Sequence, residues 1–256
     1  MSRLLSLLFA LAGLFLASFA AAQTPPTAAP PSFVPPPLTA ENTWNLDLST
    51  GGRVVIQLRP DAAPNTVERI RTLTRQGFYN GLAFFRVIEG FMAQGGDPHN
   101  NGTGGSTLPD LQAEINGLLH VRGAVAMARA QDMNSANSQF YIMLVPRMQM
   151  DRQYTVFGRV VGGMNFVEAI ERGEPPANPS RIIRASLGTD NLPPMTAEEL
   201  RAAAARFAAA APTAPAPQLD PSHATGPAVP PPPPPPRALE PVRAPGAPPR
   251  RPRPQN

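Results

Sequence analysis

The 256-residue chain has no cysteine and no lysine, and each absence closes off a class of chemistry. Without cysteine there is no thiol nucleophile, no thiolate zinc site and no disulfide. Without lysine there is no Schiff-base amine and no Walker phosphate loop, so the Gly-rich run NGTGG at Asn101–Gly105 does not read as a nucleotide cradle of that type. Histidine is nearly absent too. His99, His120 and His223 lie far apart, with no HExxH and no i,i+4 pair; each reads as an ordinary surface or core residue, and no metal site is expected. No GxSxG elbow occurs, which leaves Ser135 and Ser138 without pattern support as nucleophiles. The chain is therefore expected to work without cofactor or metal.

Every basic residue is arginine, and placement matters more than number. The formal net charge is +4, yet Glu41–Leu192 holds fourteen Arg against fourteen Asp and Glu. The excess lies outside that stretch: seven Arg against four acids from Pro193 onward, with Arg3 supplying the last unit. A neutral folded region lacks the basic footprint of a nucleic-acid-binding domain, so no nucleic-acid partner is expected.

The 35 prolines crowd the two ends and so outline the domain organisation. Residues 1–22 carry one Arg, then an apolar run, then small residues closing on Ala20–Ala22, the layout of a secretory signal peptide cleaved after Ala22. The rival reading is an uncleaved membrane anchor, because Leu4–Ala22 approaches the ~20 residues that span a bilayer. Either reading exports the remainder, and a membrane contact is expected only if the signal stays uncleaved. Residues 23–40 read as a Pro-rich linker, 41–192 as the folded domain and 193–256 as an Ala/Pro/Arg-rich low-complexity tail. Within that tail a short helix is expected at 196–210, with Thr196 as cap and Glu199 in the capping-box position, but with too few large apolar residues to anchor much. Pro230–Pro236 is an unbroken proline run, which favours polyproline-like or disordered chain.

Inside the folded region, TWNLDL (Thr43–Leu48) and GRVVIQL (Gly52–Leu58) alternate as strands do, joined by a tight turn. Pro64–Gln76 places Val67, Ile70 and Leu73 at helical spacing, with Pro64 in the first turn and Gly77 just past the end. Strand-like runs follow at Ala83–Ile88, Phe91–Gln94, Gly123–Ala128, Gln139–Val145, Thr155–Val161 and Arg181–Leu187, and a second helix at Met164–Glu171. Eight short strands and two helices predict a mostly β fold, a closed eight-stranded antiparallel barrel capped by the helices.

FFRVIEGFMAQGGD (Phe84–Asp97) sets polar residues among phenylalanines. On period two, Phe84, Arg86 and Ile88 share a face, as do Met92 and Gln94, and Gln139 and Tyr141. Arg86 could simply reach solvent or a carboxylate. If the three faces converge, they form a shallow apolar patch with one guanidinium and two amides, suited to an extended peptide.

FFRVIEGFMAQGGD, then NGTGG, then GAVAMARAQDMNSANSQFYI, then DRQYTVFGRVVGGMNFVEAI resemble, in this order, the cyclophilin family of peptidyl-prolyl cis-trans isomerases over about Thr43–Thr189. The MARAQDMNSANSQF form resembles bacterial members, and with the signal-like start this makes the bacterial periplasm the expected location. The resemblance implies an eight-stranded barrel capped by two helices and a catalytic pair, Arg86 and Gln94. It implies substrate-binding roles for Phe91, Met92, Ala128, Arg129, Gln139, Tyr141, Met150 and Tyr154. Tyr141 stands where many members have Phe, so its hydroxyl must find a partner or water. Met150 and Tyr154 replace a Leu and a His on the pocket rim, and Gln149 replaces the Trp that some members use for cyclosporin.

The implied reaction suits the composition. Rotation about an Xaa-Pro bond meets a barrier near ~20 kcal/mol because amide resonance is lost midway. No bond is made or broken, so no nucleophile, metal or proton shuttle is needed. The expected partners are proline-containing segments of folding proteins, met by a monomer. The alternative is a non-catalytic proline-peptide binding module or holdase, which has no need of Arg86.

Overall fold

The alternation in the first two segments resolves into a hairpin: β1 (Thr43–Leu48) pairs antiparallel with β2 (Gly52–Leu58) across Ser49–Gly51. Trp44, Leu46 and Leu48 face Val54, Ile56 and Leu58 in one buried core. This geometry comes from the computed structural model of the chain, which describes residues 34–210. The expected signal peptide, most of the linker and the tail beyond Ala210 lie outside the described residues.

Six further strands complete the sheet: β3 (Arg86–Ile88), β4 (Met92–Gly95), β5 (Ala124–Met127), β6 (Phe140–Met143), β7 (Val156–Gly162) and β8 (Ile182–Leu187). The order is β3-β4-β6-β5-β7-β2-β1-β8, and every neighbouring pair is antiparallel. The barrel expected to be closed is instead a curled half-barrel with two ends, because β3 is only three residues long and meets loop rather than β8. Loop backbone bonds tie the ends together: Gly81 N–H to Ile182 O at 2.7 Å, Ile182 N–H to Leu82 O at 2.9 Å and Phe84 N–H to Ser180 O at 2.9 Å. These bonds satisfy edge groups that would otherwise be open to pairing with another chain.

Helix α1 (Pro64–Arg75) lays Val67, Ile70 and Leu73 on the core. Its first-turn amides find a carboxylate from 49 residues away: Glu114 accepts Asn65 N–H at 2.9 Å and Thr66 N–H at 2.8 Å. Its end is a Schellman turn, in which Gly77 takes φ +70° and Phe78 N–H reaches back to Leu73 O at 3.0 Å. Helix α2 (Met164–Glu168) stops three residues before the expected end, and the released chain lets Gly173 pair with Val87. Trp44 anchors the interior, its ring 5.1 Å from Phe140 and 5.3 Å from Tyr79, both edge-on.

Helix α3 (Ala197–Ala210) follows, and Thr196 and Glu199 cap it reciprocally: Thr196 N–H to Glu199 Oε2 at 2.7 Å, and Glu199 N–H to Thr196 Oγ1 at 3.2 Å. Contrary to the expectation of weak anchoring, Leu200 is fully buried, and the Phe207 ring sits where a side chain on Gly81 would be. Its lead-in is also gripped. Arg53 donates to Leu192 O at 2.7 Å and Pro193 O at 2.9 Å, and Arg184 to Pro193 O at 2.6 Å.

Candidate functional site

The curled sheet has a second apolar cluster on the face opposite the main core. Register partners run straight across it, Arg86 beside Gln94, Gln94 beside Tyr141, Tyr141 beside Ala126 and Ala126 beside Val156. A parallel row joins Ile88, Met92 and Met143. Strand side chains alternate in direction, so each row shares one face. Phe91, Met92, Ala128, Tyr141, Met150 and Tyr154 all belong to this cluster. Met150 and Tyr154, expected on a rim, are 4% and 5% exposed and are part of its body. Phe84 departs from the period-two expectation: it joins the main core, because alternation begins only where β3 does, at Arg86.

Two amides stand at the polar end of the rows. Gln94, 1% exposed, donates through Nε2 to Gln139 Oε1 at 3.0 Å. Gln139 in turn donates to Gly104 O at 2.8 Å and Gly102 O at 3.1 Å, which fixes the NGTGG loop to the sheet. That loop turns its amides inward: Asp97, fully buried, accepts from Asn101 N–H at 3.0 Å and Gly102 N–H at 2.5 Å. Behind Gln94, Gly96 takes φ +85°, and a Cβ there would lie 2.5 Å from Ser138 O, so only glycine fits the turn. Beside Gln139 and Ala128 opens a pocket of about 320 Å³ floored by Gly104, Gly105 and Asn137.

Arg86 lies next to Gln94 with its side chain 21% exposed, and its Nε donates to Glu174 Oε2 at 2.7 Å. Among the described residues, two buried atoms of the pair have no partner, Nη1 of Arg86 and Oε1 of Gln94. Arg129 brings its side chain to the cluster. Its guanidinium lies 4.7 Å from the Tyr154 ring centroid and donates to Ala130 O at 2.9 Å and Gln153 O at 3.1 Å. Gln149 is exposed beside the cluster.

The hydroxyl of Tyr141 finds its partner in a residue that sequence reasoning set aside. His120, fully buried, stands 3.0 Å from Tyr141 Oη through Nε2 and 2.9 Å from Asp151 Oδ1 through Nδ1. Burial pushes the imidazole below its usual value of 6.5, with Asp151 opposing that shift. In the neutral ring, Nδ1–H donates to the carboxylate and Nε2 accepts the Tyr141 proton; burial raises the phenol pKa well above 10.0. Tyr141 replacing Phe was the one available signal, since a buried hydroxyl needs a partner.

A depressed base makes folding oppose protonation. Its contribution to stability is complete above pH 6.5, the unfolded value, and is lost as pH falls through the lower folded value. The urea midpoint of the wild type is expected to drop between pH 7.5 and about 5.5, and that of His120→Gln to stay flatter. Asp61, held below the carboxylate range by Arg59, acts in a more acid window. Equal pH slopes for both proteins would remove His120 as the cause.

Comparison with known proteins places these features. The family described as "Cyclophilin type peptidyl-prolyl cis-trans isomerase/CLD" matches residues 45–187. A "Probable peptidyl-prolyl cis-trans isomerase" of Brucella suis is 47% identical over 166 residues, covering 59% of this chain and 84% of that protein. "Peptidyl-prolyl cis-trans isomerase B" of Bacillus subtilis is 40% identical over 128 residues, covering 50% and 89%. Among solved structures, a cyclophilin from Hirschia baltica superposes with a TM-score of 0.57 at 28% identity, covering 61% of this chain and 77% of that one. A Cryptosporidium parvum cyclophilin-type isomerase, crystallised in the presence of the dipeptide Ala-Pro, shares the fold with a TM-score of 0.53 at 24% identity, covering 57% and 98%.

Proposed function

The chain belongs to the cyclophilin-type peptidyl-prolyl cis-trans isomerases, and from that premise we propose that it is an exported bacterial enzyme that turns Xaa-Pro bonds in exported proteins and so assists their folding. Residues 41–192 are its catalytic unit, and residues 1–22 direct it to the periplasm. The proline ring packs against Phe91, Met92, Tyr141, Met150 and Tyr154, the apolar cluster that excludes water from the bond.

One observation carries the mechanism: the buried, unpartnered Nη1 of Arg86 beside the buried, unpartnered Oε1 of Gln94. A buried polar group without a partner costs about 1–3 kcal/mol, so such a pair at the edge of an apolar cluster is suited to a ligand that supplies the missing partner. As the amide twists, its nitrogen regains a lone pair, and the guanidinium can donate to it. That bond is strong only in the twisted state, and an interaction made only there lowers the barrier. Gln94, held by Gln139, keeps the neighbouring amide in register. Ala128 and Arg129, just past the end of β5, offer main-chain groups to the substrate backbone. A pure binding module gains nothing from an unpartnered guanidinium.

The test is the full chain expressed in a bacterium with two membranes and recovered from its periplasm. Its N-terminus is expected to be Gln23, and at about 1 µM it should speed relaxation of a proline tetrapeptide at least tenfold over the uncatalysed tens of seconds. Relaxation no faster than the uncatalysed rate sinks the catalytic reading. An unprocessed chain in the cytoplasm sinks the export reading.

A further inference from the structure

Arg86 sits at the end strand of the sheet, and the free edge of β3 is covered by the loop that leaves α2. Val87 N–H donates to Gly173 O at 2.8 Å and Gly173 N–H to Val87 O at 2.9 Å. This bridge is antiparallel, so the residue after Gly173 falls opposite the one before Val87: Glu174 stands beside Arg86. The transverse row therefore has one more member, running Glu174, Arg86, Gln94, Tyr141. The strap is pinned on its other side by Arg172, which donates to Glu89 Oε2 at 2.6 Å and to Ile170 O.

Glu174 takes only the inner nitrogen of the guanidinium, Nε, at 2.7 Å. The group is planar and its donors form a rigid fork, so fixing Nε fixes where the terminal nitrogens aim. Neither terminal nitrogen has a partner among the described residues, and of the two it is Nη1 that is buried. An arginine without this contact would spread over its many rotamers and present that donor only part of the time.

We propose that Glu174 is a positioning residue for isomerisation: its carboxylate holds Arg86 so that Nη1 faces the twisting prolyl nitrogen. The inference rests on the catalytic role given above to Arg86. It identifies the Gly173–Glu174 strap as part of the enzyme's working geometry. Glu174 is half-exposed, so the pair adds little to stability, and its consequence is for rate.

The experiment measures kcat and KM for a proline peptide with the full chain carrying Glu174→Ala, Glu174→Gln, Arg86→Ala or both alanine changes. Glu174→Ala is expected to lower kcat about tenfold with KM nearly unchanged, because a misaimed donor weakens only the transition state. Glu174→Gln, which keeps an oxygen acceptor, should recover part of the loss, and melting temperatures should shift by less than about 3 °C. In the Arg86→Ala background, Glu174→Ala should change the rate less than about twofold, since nothing is left to position. Equal losses in both backgrounds, or a Glu174→Ala enzyme as fast as wild type while Arg86→Ala is slow, overturn this inference alone. A fast Arg86→Ala enzyme overturns both this inference and the catalytic role of Arg86.

Discussion

Replacing Arg86 with alanine is expected to lower kcat/KM for a proline peptide about 100-fold, the loss typical of removing one preorganised donor from a transition-state site. That factor corresponds to about 2.7 kcal/mol of barrier. The fold should be unaffected, because Arg86 is part of a short edge strand and its ion pair is with a half-exposed carboxylate. Loss of rate with an unchanged melting temperature therefore separates chemistry from folding. Arg86→Lys should recover little, since an ammonium on a flexible stem lacks the fork that serves Glu174 and the substrate together. The check is peptide relaxation alongside circular dichroism. A fall of less than about threefold means that the twisted amide is stabilised elsewhere.

Asp47→Ala is expected to cost about 3–4 kcal/mol of stability, the range for breaking a buried ion pair and stranding its partners. Asp47 is fully buried on the outer face of β1, where alternation alone would leave it in water. It accepts from Arg53 Nε at 2.8 Å and Nη2 at 3.0 Å, and from Arg184 Nε at 2.9 Å. The same two arginines hold Leu192 O and Pro193 O, so the carboxylate neutralises the clasp that brings α3 onto the sheet. Removing it leaves two like charges side by side at the point where α3 is led in. For a domain of this size the melting temperature should fall by roughly 6–16 °C, and urea unfolding gives the free energy directly. Asp47→Asn, still an acceptor but uncharged, should fall between the two. A loss under about 1 kcal/mol for alanine would show that the arginines are satisfied without it.

The strands and first helix were legible because each is written in neighbours. Val67, Ile70 and Leu73 recur at helical spacing, Gly77 can take the left-handed turn, and TWNLDL alternates. The reading failed where contacts made far along the chain changed the local rule. Phe84 left the face of Arg86 because the strand begins two residues later. The sheet stayed open because loop, rather than β8, lies along β3. Leu200 and Phe207 were enough to dock α3 because Arg53 and Arg184 hold its lead-in.

The sequence by itself determined the class of reaction. The motifs around Arg86, Gln94 and Gln139 resemble those of the family in their order, and a chain without cysteine or lysine suits a reaction in which no bond is made or broken. Only the tertiary structure decided which groups hold those residues in place. Glu174 lies 88 positions from Arg86, Gln139 lies 45 from Gln94, and His120 lies 21 from Tyr141. Periodicity tells which face a residue takes within its own strand, but the partner across that face depends on strand order and register. Those are set only when the whole sheet is assembled.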